Sequence, residues 1–133
     1  MTLDNEFFFP IRVYIEDTDA GGIVFYVNYL KFMERARTEL LRNKGFPKPA
    51  VLDDGKLMVV VSAKVDYRKP AKLDDNLAVT AKIIKLARTY MVFEQKIFCD
   101  GFCLTEAEIK VACVNRDTMR ACAFPKRLVE LLS

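Results

Sequence analysis

The hydrophobic period of this chain changes at about Leu57. Upstream, Tyr29, Leu30, Phe32, Met33, Ala36, Leu40 and Leu41 recur at helical spacing and predict a helix over Asn28 to Lys44, ~25 Å long. Downstream the period is two. Val59, Val61, Ala63, Val65 and Tyr67 share one face, and Leu77, Val79, Ala81 and Ile83 share the face of another strand. Met91, Phe93 and Ile97 oppose Glu94 and Lys96; Cys103, Ala107, Ile109, Val111 and Cys113 oppose Glu106, Glu108 and Lys110. Such alternation marks antiparallel strands with one buried and one wetter face. Pro70 to Asn76, a tight link near Arg88 and Asp100-Gly101 separate them. A further strand, Phe9 to Glu16, precedes the helix, and Pro125 opens a short helix ending near Leu132. The order is one strand, one long helix, then four strands in a meander. It predicts a single α+β domain over residues 1–133, with a five-stranded antiparallel sheet wrapped around the helix.

The long helix carries its own boundaries. Asn28 is a candidate N-cap, Gly45 sits where a left-handed residue belongs, and Pro47 prevents continuation. Its apolar arc fills about half the circumference, wider than one contact with a sheet needs. The helix is therefore expected to be covered on several sides or to meet a partner subunit. Arg37 falls inside that arc and is expected to pair with a nearby carboxylate such as Glu34.

The most informative absence is histidine, of which there is none. That excludes Ser-His-Asp and Cys-His catalysis, so a general acid or base must come from Asp, Glu, Lys, Tyr or Cys. Cys99, Cys103, Cys113 and Cys122 form no CxxC pair, so no metal site is expected and the thiols read as buried and reduced. No window approaches the roughly 18 apolar residues of a membrane span, and Phe7 to Ile11 is too short for a signal peptide. The expected location is cytoplasmic, with no membrane insertion. A net charge of +3 is too mild for a nucleic-acid binder and suits a phosphorylated small ligand.

Chemistry concentrates in the loop ahead of the helix. Asp17 and Asp19 are followed by Gly21 and Gly22, and the chain enters the helix near Val27. A helix start offers free N–H groups and partial positive charge for a carbonyl or oxyanion. A carboxylate just upstream can act on the same carbonyl as nucleophile or as base for water. Spacing alone leaves the plainer alternative open, in which these are turn and capping residues.

Arg12-Val13-Tyr14-Ile15-Glu16-Asp17-Thr18-Asp19-Ala20-Gly21-Gly22-Ile23-Val24, with Asn28-Tyr29-Leu30-Lys31-Phe32-Met33-Glu34-Arg35-Ala36-Arg37-Thr38-Glu39, closely resembles the YbgC-type, Tol-Pal-associated acyl-CoA thioesterases. These belong to the 4-hydroxybenzoyl-CoA thioesterase family of hotdog proteins. Tyr67-x-x-Pro70-Ala71-x-Leu73-Asp74-Asp75, Phe93 to Ile97 and Pro125-Lys126 extend the match over nearly the whole chain. The resemblance implies hydrolysis of short- or medium-chain or aromatic acyl-CoA, or of acyl carrier protein thioesters. It implies Asp19 as the catalytic carboxylate and the N–H groups of Tyr26 and Val27 as donors to the thioester carbonyl. It also implies a homodimer or homotetramer with sites between subunits, and no cofactor, since coenzyme A is part of the substrate. The family usually has histidine where this chain has Tyr26; a backbone donor survives that change.

Arg68, Lys69, Lys72, Lys85 and Arg88 lie near strand ends, and Arg68, Lys69 and Arg88 are the candidates for coenzyme A phosphates. The alternative for each is a solvated basic edge. Tyr14 and Tyr67 read as core or interface aromatics. A competing reading is a non-catalytic hotdog module that binds an acyl thioester or a protein partner.

Overall fold

The computed structural model describes residues 7–49, 52 and 55–133. In chain order the elements are β1 (Phe7–Arg12), a 3-10 turn (Ile15–Asp17), α1 (Val27–Asn43), β2 (Lys56–Tyr67), β3 (Asn76–Leu86), β4 (Tyr90–Cys99), β5 (Phe102–Asn115) and α2 (Lys126–Leu132). The strands form one five-stranded sheet in the order β1-β3-β4-β5-β2, antiparallel at every pairing. No helix among the described residues is long and apolar enough to cross a membrane.

Local chemistry explains the ends of α1. Gly45 has φ +110°. Its N–H donates to the Arg42 carbonyl, and Phe46 N–H reaches back to Leu41, both at 3.0 Å, which is a Schellman ending. The start departs from expectation. Asn28 lies inside the first turn, and the residue at the cap, Tyr26, makes no side-chain cap bond. Asn28 instead donates from Nδ2 to the Asp17 carbonyl at 2.8 Å.

Helix α1 packs chiefly over β1 and β3. Phe32, Met33, Ala36 and Leu41 are buried against Val79, Phe93 and Ile97 in one continuous core. Each large side chain fully buried there contributes about 1.5–3 kcal/mol. The alternation read for β3, β4 and β5 holds, with Leu77, Val79, Ala81, Met91, Phe93, Ile97, Ala107, Ile109 and Val111 buried.

Three expectations about the sheet need correction. The first strand ends at Arg12 rather than Glu16, because the Asp17 carboxylate accepts the Tyr14 N–H at 2.9 Å and turns the chain into the 3-10 segment. The four later strands are not a simple meander. β3, β4 and β5 are, but β2 pairs only with β5 and forms the edge opposite β1. Period-two patterning shows which face of a strand is buried and says nothing of its neighbour. Third, β2 carries a bulge between Val60 and Ser62, so Met58 and Val60, not Val59 and Val61, share a face with Ala63, Val65 and Tyr67.

Arg37 does not form the expected ion pair. Its guanidinium donates to Gln95 Oε1 at 2.9 Å, and Gln95 Nε2 donates to the carbonyls of Met33 and Thr80 at 2.9 and 3.1 Å. Gln95 is fully buried on β4, between Phe93 and Ile97. Burial pulls the Arg37 pKa down to about 10. All four cysteines are free, but only Cys113 is buried. Its Sγ lies 3.6 Å from that of Cys122, and burial followed by that neighbour pushes its thiol up to about 12.

Candidate active site

The segment between β1 and α1 is a small tied structure. Asp17 is its post. Besides the carboxylate bond to Tyr14, its carbonyl accepts the Phe25 N–H at 3.0 Å and the Asn28 side chain, fixing where α1 begins. Thr18 bridges Val24, and between them the chain reverses. Gly22 N–H donates to the Asp19 carbonyl at 3.1 Å, and Asp19 N–H to that of Ile23 at 2.9 Å. Gly22 has φ +78°, the left-handed residue that such a hairpin loop needs.

Asp19 therefore occupies the first position of a turn. Its Oδ1 accepts the Gly21 N–H at 2.8 Å, the usual duty of aspartate there. A Cβ on Gly21 would meet that oxygen at 3.3 Å, so glycine lets the carboxylate lie close over the turn. No second bond to the carboxylate is present among the described residues. The side chain is exposed, with one oxygen tied and one oxygen open.

The start of α1 supplies the complementary feature. Asn28 and Tyr29 donate their N–H groups to the carbonyls of Phe25 and Tyr26, at 2.8 and 3.3 Å. The N–H groups of Tyr26 and Val27 have no acceptor among the described residues. They stand at the positive end of a 17-residue helix.

The crossing from β2 to β3 braces this arrangement. Because β2 lies at the far edge, residues 68–75 must pass over the ends of β5 and β4 to reach β3. On the way the segment pairs with the loop. Ile23 bridges Lys72, Val24 N–H donates to Ala71 at 2.9 Å, and Ala71 N–H donates to the Tyr29 hydroxyl at 2.8 Å. Burial raises the pKa of Tyr29 despite that bond. Tyr67, the last residue of β2, sets its ring 5.4 Å from that of Tyr29 and 6.1 Å from that of Tyr26. Its hydroxyl donates to the Tyr26 carbonyl at 3.3 Å. Tyr67 is thus not a core residue, one of the two readings from sequence, and its ring and hydroxyl lie against the start of α1.

The structure brings Asp19, Tyr26, Val27, Arg68 and Lys69 to one end of the sheet. Arg68 and Lys69 donate their N–H groups to the Leu104 carbonyl near the start of β5. The Arg68 guanidinium pairs with Glu106 at 2.6 Å, and the Lys69 ammonium lies 4.7 Å from the centre of the Phe102 ring. Arg88 is not with them. Cys99 faces Phe102 at the loop end of the sheet, whereas Tyr90, beside Arg88, faces Ala112 at the other. A strand of that length puts roughly 30 Å between Arg88 and the loop.

Among the described residues the loop lies open to solvent within one chain. Asp19, Gly21 and Gly22 are exposed, as are Phe25 at 45% and Tyr26 at 60%. A carboxylate and paired N–H donors beside an apolar surface can polarise a carbonyl and attack it, or deliver water to it.

The family model described as the thioesterase superfamily matches residues 21–101. The acyl-CoA thioesterase YbgC of Haemophilus influenzae is 45% identical over 127 residues, 95% of this chain and 93% of that protein. A hypothetical protein from Aquifex aeolicus superposes with a TM-score of 0.87 at 33% identity, covering 96% of this chain and 99% of that one. A Bartonella henselae structure described as a probable thioesterase gives 0.81 at 30% identity, covering 90% and 98%.

Proposed function

This chain belongs to the thioesterase superfamily, with the hotdog fold and acyl-CoA thioesterase activity, and we propose that Asp19 and the N–H groups of Tyr26 and Val27 carry out that reaction. The observation that carries the reading is the pair of unpartnered N–H groups at the start of α1, beside a turn that presents an open carboxylate oxygen. The thioester carbonyl oxygen accepts from the helix start, and the negative charge that develops on it is stabilised there. Removing one such donor typically costs about 10²–10³-fold in kcat. Asp19 either takes a proton from the water that attacks the carbonyl carbon and passes it to the departing thiolate, or attacks the carbon itself, expelling the thiolate and forming an anhydride that water then hydrolyses, with the proton released going to the thiolate. Coenzyme A leaves as its thiol, and the acyl group leaves as free acid.

The substrates proposed are short- or medium-chain or aromatic acyl-CoA. The exposed Phe25, Tyr26 and Tyr67 offer apolar surface for the acyl group. Lys69 and Arg68 lie at the right end of the sheet for coenzyme A phosphates, with Arg68 exchanging its exposed bond to Glu106 for phosphate. Arg88 reaches the same nucleotide only from a second protomer. A homodimer or homotetramer provides one and supplies a wall for the open loop. The β2 edge supports assembly, since it has no partner on one side and exposes Val60 and Val61, each at 52%. A cytoplasmic location accords with the four free thiols.

The test is thiol release from a panel of acyl-CoA chain lengths by the wild type and Asp19→Asn side by side. Hydrolysis by the wild type and its loss in the variant are expected. Equal rates would remove Asp19 from the mechanism.

A further inference from the structure

We infer that Tyr67 is the positioning residue of the oxyanion donor, acting through the Tyr26–Val27 peptide bond. The inference rests on the assignment of that helix start as the carbonyl-binding site. A trans peptide points its C=O and N–H in opposite directions, and the described chain contains no cis bond. Whatever holds the Tyr26 carbonyl therefore aims the Val27 N–H. As the N-cap of α1, Tyr26 gives its carbonyl to the first intrahelical bond, and Tyr29 N–H approaches the same oxygen at a long 3.3 Å. The Tyr67 hydroxyl adds a side-chain donor to that oxygen, from outside the helix, also at 3.3 Å.

The chain of bonds then runs from Tyr67 O–H to the Tyr26 carbonyl, and from Val27 N–H to the thioester oxygen. A donor on the carbonyl end of a peptide draws electron density toward it and makes the N–H a better donor, by about 10–30% per bond in condensed-phase estimates. The two bonds reinforce one another most when the thioester oxygen becomes an oxyanion. That is help for the transition state more than for the bound substrate.

Three features hold the hydroxyl in place. Tyr67 is the final paired residue of β2, opposite Thr105. Its ring is wedged between those of Tyr26 and Tyr29, edge-on to the first and tilted on the second. Tyr29 is itself anchored by the Ala71 N–H at 2.8 Å. Tyr67 is 44% exposed, so packing alone does not account for its orientation. Burial, then the neighbouring Tyr26 and Tyr29, raise its pKa, so the group remains a protonated donor across the range where thioesters are assayed.

The experiment is Tyr67→Phe, which keeps the ring and removes only the hydroxyl. We expect kcat to fall about tenfold, less than the loss of an oxyanion donor itself, with KM for the same acyl-CoA within about twofold. The Val27 amide proton should move upfield in the spectrum of the resting variant, a readout independent of turnover. An active wild type with an equally active Tyr67→Phe and an unmoved Val27 amide overturns the inference and leaves the thioesterase reading intact. A variant that loses affinity and thermal stability while keeping kcat also overturns it, since that is the signature of packing. A wild type that hydrolyses no acyl-CoA overturns the underlying assignment and this inference with it.

Discussion

At its N-terminus, α1 leaves the N–H groups of Tyr26 and Val27 unpartnered among the described residues, and the loop that leads into it exposes the carboxylate of Asp19. In its third turn, the half-buried Arg37 donates to Gln95, and Gln95 in turn donates to the Met33 and Thr80 carbonyls. The same helix thus carries one polar place whose N–H groups have no protein partner among the described residues and one whose central amide, Gln95, is bonded at both its oxygen and its nitrogen. Spare capacity is tolerable at the first because water reaches it, and a substrate oxygen can replace that water. At the second, Gln95 is fully buried, and leaving its amide unmet would cost about 1–3 kcal/mol. On the reaction proposed above, the open polar groups serve chemistry and the closed ones hold the core together.

The sharpest way to break this contrast is Asp19→Asn. The asparagine oxygen can still accept the Gly21 N–H, so the turn survives while charge and nucleophilicity are lost. Turnover should fall by at least about 10²-fold with an unchanged melting temperature. A large loss of stability would mean that the open site is structural after all.

Gln95→Leu should do the reverse. It strips Arg37 of its acceptor and the Met33 and Thr80 carbonyls of their shared donor. Denaturant unfolding should show a loss of about 2 kcal/mol, while kcat of the folded fraction stays within about twofold. Adding Arg37→Met removes the stranded charge and should recover part of the loss, because the two residues act as a unit.

Asp17→Asn tests the boundary between the two kinds of place. Asp17 sits two residues from Asp19, yet its contacts all hold the loop together. The expected cost is about 1 kcal/mol of stability, as for a lost cap, with a smaller fall in turnover than Asp19→Asn. A larger fall would exchange the roles of the two aspartates. The smallest effect should come from Tyr26→His. The Tyr26 side chain is exposed and makes no cap bond, its backbone N–H is kept, and an imidazole still sets an aromatic ring against Tyr67. Activity against the same acyl-CoA panel should be equal or slightly higher.

These cases show what one-dimensional reasoning reaches. The Asp19 loop was legible because turn, glycines and helix start are neighbours in sequence, and their geometry follows from local backbone chemistry. The C-terminal end of α1 was legible for the same reason, with Gly45 where a left-handed residue was required. Gln95 escaped notice although it interrupts the alternation between Phe93 and Ile97, because its partners lie on another element. Arg37 was assigned to Glu34, one turn away. The tertiary structure brought Gln95 closer, across 58 positions of sequence.

Patterning by itself determined that this chain makes one long helix and a run of one-sided antiparallel strands, since a period of 3.6 or 2 is a property of contiguous residues. It also placed a carboxylate and two glycines immediately before a helix start. Only the tertiary structure decided that β2 lies at the far edge of the sheet, that its bulge exchanges faces at Val60, and that residues 68–75 must therefore cross the loop. That crossing brings Ala71 under Tyr29 and the Tyr67 hydroxyl onto the Tyr26 carbonyl. The physical reason is that strand pairing is chosen by the free energy of the whole sheet and its core. Two strands with equally good alternation are interchangeable until every neighbour has been placed.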